Sequence, residues 1–189
     1  MDRISFSIVV ATKSRVRILT ELIESIDVAS KNYSGDWEVL NADDSIPEES
    51  EAVQAVCREH DCKYIFYENS VSAKRNYGVL QAKNDVVLFL DSDCICTEHI
   101  IERYAEKYTD EKIAAVAGPL EFVGEDTWFW KAIEATPFLP CFYLPRFLPN
   151  VEWGVTENFY VSRQVLLEVE GFDENFKSQE GEDVDMGMK

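Results

Sequence analysis

Short apolar, β-branched runs alternate with stretches of helical periodicity from the first residues of this chain, and few folds accept that rhythm. Phe6 to Ala11 reads FSIVVA, the pattern of a strand buried on both faces. Val16, Leu19, Leu22, Ile23 and Ile26 then recur at the spacing of an amphipathic helix. Trp37 to Ala42 predicts a second strand, and Ser45 with Glu48 forms a candidate capping box, with Pro47 in the first turn, for a helix to about His60. Tyr64 to Tyr67 predicts a third strand, Ser70 the cap of a helix to about Lys83, and Asp85 to Leu90 an almost wholly apolar fourth strand. Three strand-helix units in succession imply right-handed crossovers and a parallel sheet covered by helices on both faces, an α/β fold.

The rhythm then fades. A helix is expected from about Glu98 to Tyr108 and a fifth strand from Ala114 to Val123. Trp128 to Asn150 is so rich in proline, at 137, 140, 145 and 149, that it reads as an aromatic loop. Trp128, Trp130 and Trp153, with the Phe and Tyr residues between 138 and 147, are read either as core or as a surface for a sugar ring or an apolar acceptor. A last strand near Gly154 to Ser162, a short helix through Val165 to Glu168, the turn at Gly171-Phe172-Asp173 and an acidic segment from Glu180 close the chain.

Composition narrows the function classes. The 189 residues, 46% apolar and 12% aromatic, suffice for one core. A net charge of −18, with no Lys/Arg run to form a basic groove, argues against a nucleic-acid partner. Five cysteines, at 57, 62, 94, 96 and 141, form neither a zinc pattern nor an even disulfide framework, which fits a reducing, cytoplasmic setting. There is no signal-like start and no apolar run long enough for a span, while Gly181 to Lys189 opens a helix with no stop signal, as in a piece cut from a longer protein.

In an open parallel sheet, ligands bind beyond the carboxyl ends of the strands. There the sequence puts Thr12 after strand one, Asp43-Asp44 after strand two and Asp91-Ser92-Asp93 after strand four. Four carboxylates on one rim repel one another unless a cation joins them. Alternate residues of an extended segment share a face, so Asp91 and Asp93 suit a hard, oxygen-loving ion such as Mg²⁺ or Mn²⁺. Taken alone, two aspartates after a strand are equally well explained as turn formers. A second acidic group, Gly181-Glu182-Asp183-Val184-Asp185, stands at a predicted helix start, where the dipole favours carboxylates and where one of them could serve as a general base.

FSIVVATKSR, Asp43-Asp44, SAKRNYGVLQAKNDVVLFLDSDC, GVTENFYVSRQVLLEVEGFDENF and GEDVDMGMK, in that order, resemble the inverting nucleotide-sugar glycosyltransferases of family 2, along nearly the whole chain. The resemblance implies the GT-A fold, a Rossmann-like sheet of nucleotide-diphospho-sugar transferases, as a single catalytic domain over 1–189. Residues 1–93 would form its nucleotide-binding half and 94–189 its acceptor-side half. It implies that Thr12, Asp43 and Asp44 line the nucleoside pocket and that Arg75 and Asn76 lie near ribose and diphosphate. Asp91 and Asp93 would hold the ribose side and the metal, Mg²⁺ or Mn²⁺. Asp183 would be the catalytic base and Glu182 its neighbour in positioning, while Trp153, Glu157 and Asn158 would approach the donor sugar or acceptor. The implied donor is a nucleoside-diphosphate sugar, with UDP-sugars favoured, and the acceptor hydroxyl belongs to a glycan, lipid or small molecule. Peripheral association with the inner face of a membrane is compatible with such a role. Two positions depart from the family pattern: Ser45-Ile46-Pro47 follows the aspartate pair in place of glycine and serine, and Glu170 replaces the first glycine of Gly-Gly-Phe-Asp.

Three other accounts stay open at this stage. VLFLDSDCI also resembles the loop of haloacid-dehalogenase phosphatases, which would make Asp91 a nucleophile, although three strand-helix units precede it here. A nucleotidyltransferase lacks its expected glycine-rich loop between Ala11 and Arg17. A binding protein that keeps the fold without turnover is the third.

Overall fold

A computed structural model of the chain describes residues 4–108, 113–124, 127–135, 140–176 and 181–189. Pro137, Phe138 and Glu180, singled out above, lie outside the described residues. The first half follows the expected rhythm within a residue or two: β1 (Phe6–Thr12), α1 (Val16–Ser30), β2 (Trp37–Asp43), α2 (Pro47–Glu59), β3 (Lys63–Phe66), α3 (Val71–Gln81) and β4 (Val86–Asp91). Next come α4 (Ile100–Lys107), β5 (Ala115–Ala117), α5 (Trp128–Glu134), α6 (Pro140–Phe147), a 3₁₀ turn (Thr156–Asn158), β6 (Phe159–Ser162), α7 (Arg163–Glu168) and α8 (Glu182–Met188).

The sheet order is β3-β2-β1-β4-β6-β5. β1 pairs in parallel with both β2 and β4, and β2 with β3. The parallel sheet expected from the three strand-helix units holds over β1 to β4, and beyond them β6 runs antiparallel to both β4 and β5. The 3₁₀ turn delivers the chain to β6 at the carboxyl end of β4, so β6 runs back along it and its N-terminal residues, not its C-terminal ones, stand on that rim. The strand predicted over Ala114 to Val123 shrinks to β5. The expected aromatic loop contains two short helices: proline limits their length, and α6 carries Pro145 within its eight residues.

Strand alternation divides the core into two layers. Phe6, Ile8 and Val10 of β1, Leu88 of β4 and Tyr160 of β6 pack with Leu19, Leu22 and Ile26 of α1. On the opposite face, Val9, Val87, Phe89, Phe159 and Val161 pack with Val79 of α3, Leu166 of α7, Phe172 and Met186 of α8. Ser70 caps α3 as expected, accepting from the backbone N–H of Ala73. The capping box at α2 does not form: Ile46 holds the N-cap position with no side-chain bond, while Pro47 takes its expected place in the first turn. Ser45 turns inward to Asp43. A buried carboxylate gains more from that hydroxyl than an exposed helix end does.

Candidate active site

From β1 the chain steps through β2 to β3, then crosses back to enter β4 on the other side of β1. Strand order therefore reverses between β1 and β4, and their carboxyl ends part to form the crevice in which ligands of open α/β sheets lie. A cavity of about 530 Å³ opens there, lined among others by Thr12, Lys13 and Arg15 after β1, Asp44 after β2, Lys74 of α3 and Glu182 of α8. Its volume is that of a small-molecule site. The first turn of α3, Ser70 to Ser72, forms part of the wall and brings the partial positive charge of a helix N-terminus to it.

The rim carboxylates are each held by named partners. Asp43 is fully buried: Thr12 Oγ1 lies 3.3 Å from its Oδ1, the Ser45 N–H and hydroxyl donate to the same oxygen, and the Tyr64 hydroxyl donates to Oδ2 at 3.1 Å. Asp44 accepts from Lys13 Nζ at 3.1 Å and from Lys74 Nζ at 2.5 Å. Lys74 is itself buried and also donates to the Thr12 carbonyl at 2.6 Å. Burial pulls its pKa below the ordinary lysine value, against the opposing pull of Asp44. Asp93 pairs with Arg15 at 2.9 Å, both side chains more than half exposed. Three of the four rim carboxylates thus have cationic side-chain partners, Asp44 with Lys13 and Lys74, Asp93 with Arg15 and Asp91 with Arg75, while Asp43 is held by hydroxyls and a backbone N–H.

Arg75 is the hinge of the arrangement. Its Nη2 donates to Asp91 at 2.7 Å and its Nη1 to Glu182 at 3.0 Å, and its guanidinium lies 5.6 Å from the centre of the Phe172 ring. Burial alone would lower its pKa, but the two carboxylates outweigh it and the group is held more firmly charged than usual. One side chain thus joins the end of β4 to α8, which brings the Asp91 and Glu182-Asp183 groups to the same cleft. Burial pushes the Asp183 carboxyl upward, with the neighbouring Glu182 charge adding to it. Glu157, in the 3₁₀ turn, is pushed up to about 7, first by burial and then by the charge of Asp91.

Other expected residues are occupied elsewhere. Asn76 does not face the cleft: its Nδ2 donates to the Phe172 carbonyl at 2.9 Å and its Oδ1 accepts the Phe172 N–H at 2.9 Å, fixing the loop behind α3. Asn158 is buried, its Oδ1 accepting from the Tyr104 hydroxyl at 2.6 Å and its Nδ2 donating to the Pro119 carbonyl at 3.0 Å. Trp153 is half-buried and backs α8, with so little room that a Cβ on Gly187 would come within 2.4 Å of its own. The Glu170 departure has a backbone cost: Glu170 and Gly171 both sit at positive φ, 62° and 66°, where a glycine carries less strain. Lys13, Arg15 and Lys74 were missed by sequence reasoning. Their only signal was proximity to quoted motifs, in TKSR and SAKR. Among the described residues, no three His, Cys, Asp or Glu side chains gather as a metal site, and no helix is long and apolar enough to cross a membrane.

Residues 7–175 match the model of glycosyl transferase family 2. Chondroitin synthase from Pasteurella multocida (strain Pm70) is 26% identical, over 98% of this chain and 23% of its own length. The solved structure of S. aureus TarS 1-349 in complex with UDP aligns at a TM-score of 0.67 and 20% identity, over 98% of this chain and 54% of that one. Mannosyltransferase PcManGT from Pyrobaculum calidifontis, in complex with GDP-Man and Mn²⁺, aligns at 0.66 and 16% identity, over 90% of this chain and 48% of that one. The chain thus spans about a quarter of the curated relative and about half of each solved structure. At such identities the structural likeness carries the fold, a mixed sheet of the GT-A kind.

Proposed function

Because this chain belongs to glycosyl transferase family 2, we propose that it moves a sugar from a nucleoside-diphosphate sugar to an acceptor hydroxyl, with inversion at the anomeric carbon. The observation that carries this reading is the cleft at the β1/β4 switch point, lined by the cations Lys13, Arg15 and Lys74, by the N-terminus of α3 and by Glu182 at the start of α8. Anionic diphosphate suits the α3 N-terminus with Lys13 and Arg15, and the nucleoside suits the recess at Thr12 and Asp44. Asp183, its pKa raised by burial, suits the removal of the acceptor proton as the hydroxyl attacks. One in-line displacement inverts the carbon. Glu182, fixed by Arg75, steadies the first turn of α8 and hence the base beside it.

The rim also fits a divalent ion. Mg²⁺ characteristically takes one or two carboxylates and completes its shell with substrate phosphates and water, and Asp91 with Asp93 supplies that pair of hard oxygen ligands. Mg²⁺ or Mn²⁺ held there would neutralise charge on the departing diphosphate. The mannosyltransferase relative carries Mn²⁺ and GDP-Man and the TarS structure carries UDP, so either base is compatible, with UDP the first to test.

Calorimetric titration of UDP, GDP and dTDP, with and without Mn²⁺, on the native chain and on Asp93→Ala tests the donor site. Metal-dependent binding of one nucleotide, weakened roughly tenfold or more in the variant, is expected. Binding of none, in either form, defeats the reading.

A further inference from the structure

Ser14 and Arg15, which lead from β1 into α1, both hold a left-handed backbone, each at φ 62°. For a residue with a side chain that conformation is disfavoured roughly tenfold, so two in succession persist only where neighbouring groups hold them. Two hydrogen bonds supply the hold: the Ser14 N–H donates to Ser45 Oγ at 2.7 Å, and the Ser14 hydroxyl donates to Glu49 of α2. They differ in strength. The Glu49 bond is exposed and competes with water, whereas Ser45 is only 3% exposed and its own proton is committed to Asp43 Oδ1. A serine hydroxyl has one proton to give and lone pairs to receive, so with its proton on Asp43 the Ser45 oxygen is turned to accept from Ser14. A relay of Asp43, Ser45 and Ser14 thus runs from the buried end of β2 to the turn after β1.

That turn carries the outer positive charge of the cleft. Lys13 and Arg15 flank Ser14, both line the cavity, and both side chains are more than half exposed. Their ion pairs, Lys13 with Asp44 and Arg15 with Asp93, are of the exposed kind that contributes little, so the backbone, rather than the pairs, decides where the cations stand. Relaxing Ser14 to an ordinary negative φ would turn the chain through about 120° and re-aim one cation relative to the other. Ser45 also stands at the first position where the chain departs from the family pattern, in place of a glycine, which would have no hydroxyl to offer.

We infer that Ser45 is a positioning residue of the donor site: its hydroxyl, oriented by Asp43, locks the Lys13-Ser14-Arg15 turn in its left-handed form and so aims both cations at the diphosphate. This rests on the donor-site reading of the cleft. It is tested by calorimetry with UDP and GDP in the presence of Mn²⁺, on the native chain and three variants. Ser45→Ala removes the acceptor and should weaken whichever nucleotide binds by about fivefold or more. Ser14→Pro leaves Ser45 and Asp43 untouched but imposes a negative φ and removes the N–H, and should weaken binding by about tenfold or more. Ser14→Gly added to Ser45→Ala lets the backbone take positive φ without strain and should return the affinity to within about threefold of native. A role of Ser45 confined to supporting Asp43 would give no such recovery, because a glycine at position 14 does nothing for that carboxylate. Ser45→Ala within about twofold of native, Ser14→Pro binding like the native chain, or a double variant no tighter than Ser45→Ala, overturns the inference and spares the donor site. If Ser45→Ala does not fold, Ser14→Pro decides alone. Failure of both nucleotides to bind the native chain removes the donor reading and this inference with it.

Discussion

Arg75→Met is the substitution whose consequence follows most directly from the site's geometry. The methionine keeps most of the stem but withdraws the guanidinium, and with it the approach to the Phe172 ring and two charged hydrogen bonds, to Asp91 and to Glu182. The side chains left behind differ in exposure, 29% for Asp91 and 6% for Glu182. Asp91 can regain water, so most of the penalty falls on Glu182, an uncompensated buried carboxylate. Stranding one partner of a buried pair costs about 3–5 kcal/mol, and at this chain length that predicts a fall in Tm of roughly 6–20 °C. Thermal and urea unfolding followed by far-UV circular dichroism read it. If a stranded charge is the cause, adding Glu182→Gln to Arg75→Met should recover at least half of the loss. Arg75→Lys should recover less, because one ammonium cannot form two parallel links to separate carboxylates. A single variant within about 1 kcal/mol of the native chain, or a double variant no more stable than the single, would refute the assignment of Arg75 as the clamp between β4 and α8.

Glu157→Gln should change how stability depends on pH in metal-free buffer. The folded carboxyl titrates near 7, above its ordinary value of 4.5. The folded protein therefore holds a proton that the unfolded chain has released, and native stability falls as pH rises between those values. The variant lacks that slope and should gain on the order of 3 kcal/mol over the native chain at pH 8, with little gain at pH 4; parallel urea profiles at both pH values would contradict it. Gly78→Ala sets two effects against each other. Helix propensity favours alanine by about 1 kcal/mol, but the new Cβ would lie 2.5 Å from Val9 Cγ1, in the core. Overpacking of that kind costs roughly 1–3 kcal/mol, so a small net loss is expected, reversed when Val9→Ala is added; a stabilised single variant would show that the contact relaxes freely.

The first half of the fold was legible because each βα unit announces its elements through period alone: strands of unbroken apolar residues, helices with a buried stripe. Period carries no direction, however. β6 has the composition of any buried strand, and its reversal depends on which end of β4 the preceding turn delivers it to. Position was legible where strand ends fix it, as for Asp91-Ser92-Asp93 at the end of β4, and the structure links that end to Glu182 through Arg75. Position was not legible where partners compete. Ser45 had two bonding options, and a buried carboxylate won over a helix end. Asn76 stands next to Arg75 in sequence, but one step along a helix turns a side chain by about a quarter of a turn or more, enough to aim one at the cleft and the other at the Phe172 loop. Lys74 was overlooked because a lysine in the first turn of a helix ordinarily reaches for solvent, whereas here that turn is wedged over the ends of β1 and β2.

The pairings divide the cleft into two layers with different mechanical standing. Arg75 with Glu182, and Lys74 with Asp44, are buried on both sides, so parting either strands a charge and costs several kcal/mol, about 3–5 by the usual measure. Arg15 with Asp93 is exposed on both sides, and such a pair is worth about 1 kcal/mol or less. A ligand can therefore open the outer pair with a small fraction of its binding energy, and must leave the inner ones intact. On the proposed reading, an incoming diphosphate would take the place of Asp93 beside Arg15, and an ion would take the place of Arg15 beside Asp93. Substitutions sort accordingly: Asp93→Ala should report on binding with stability nearly unchanged, while Arg75→Met should report on stability first, because the residue that brings Asp91 and Asp183 to one cleft is the same residue that holds α8 onto the sheet.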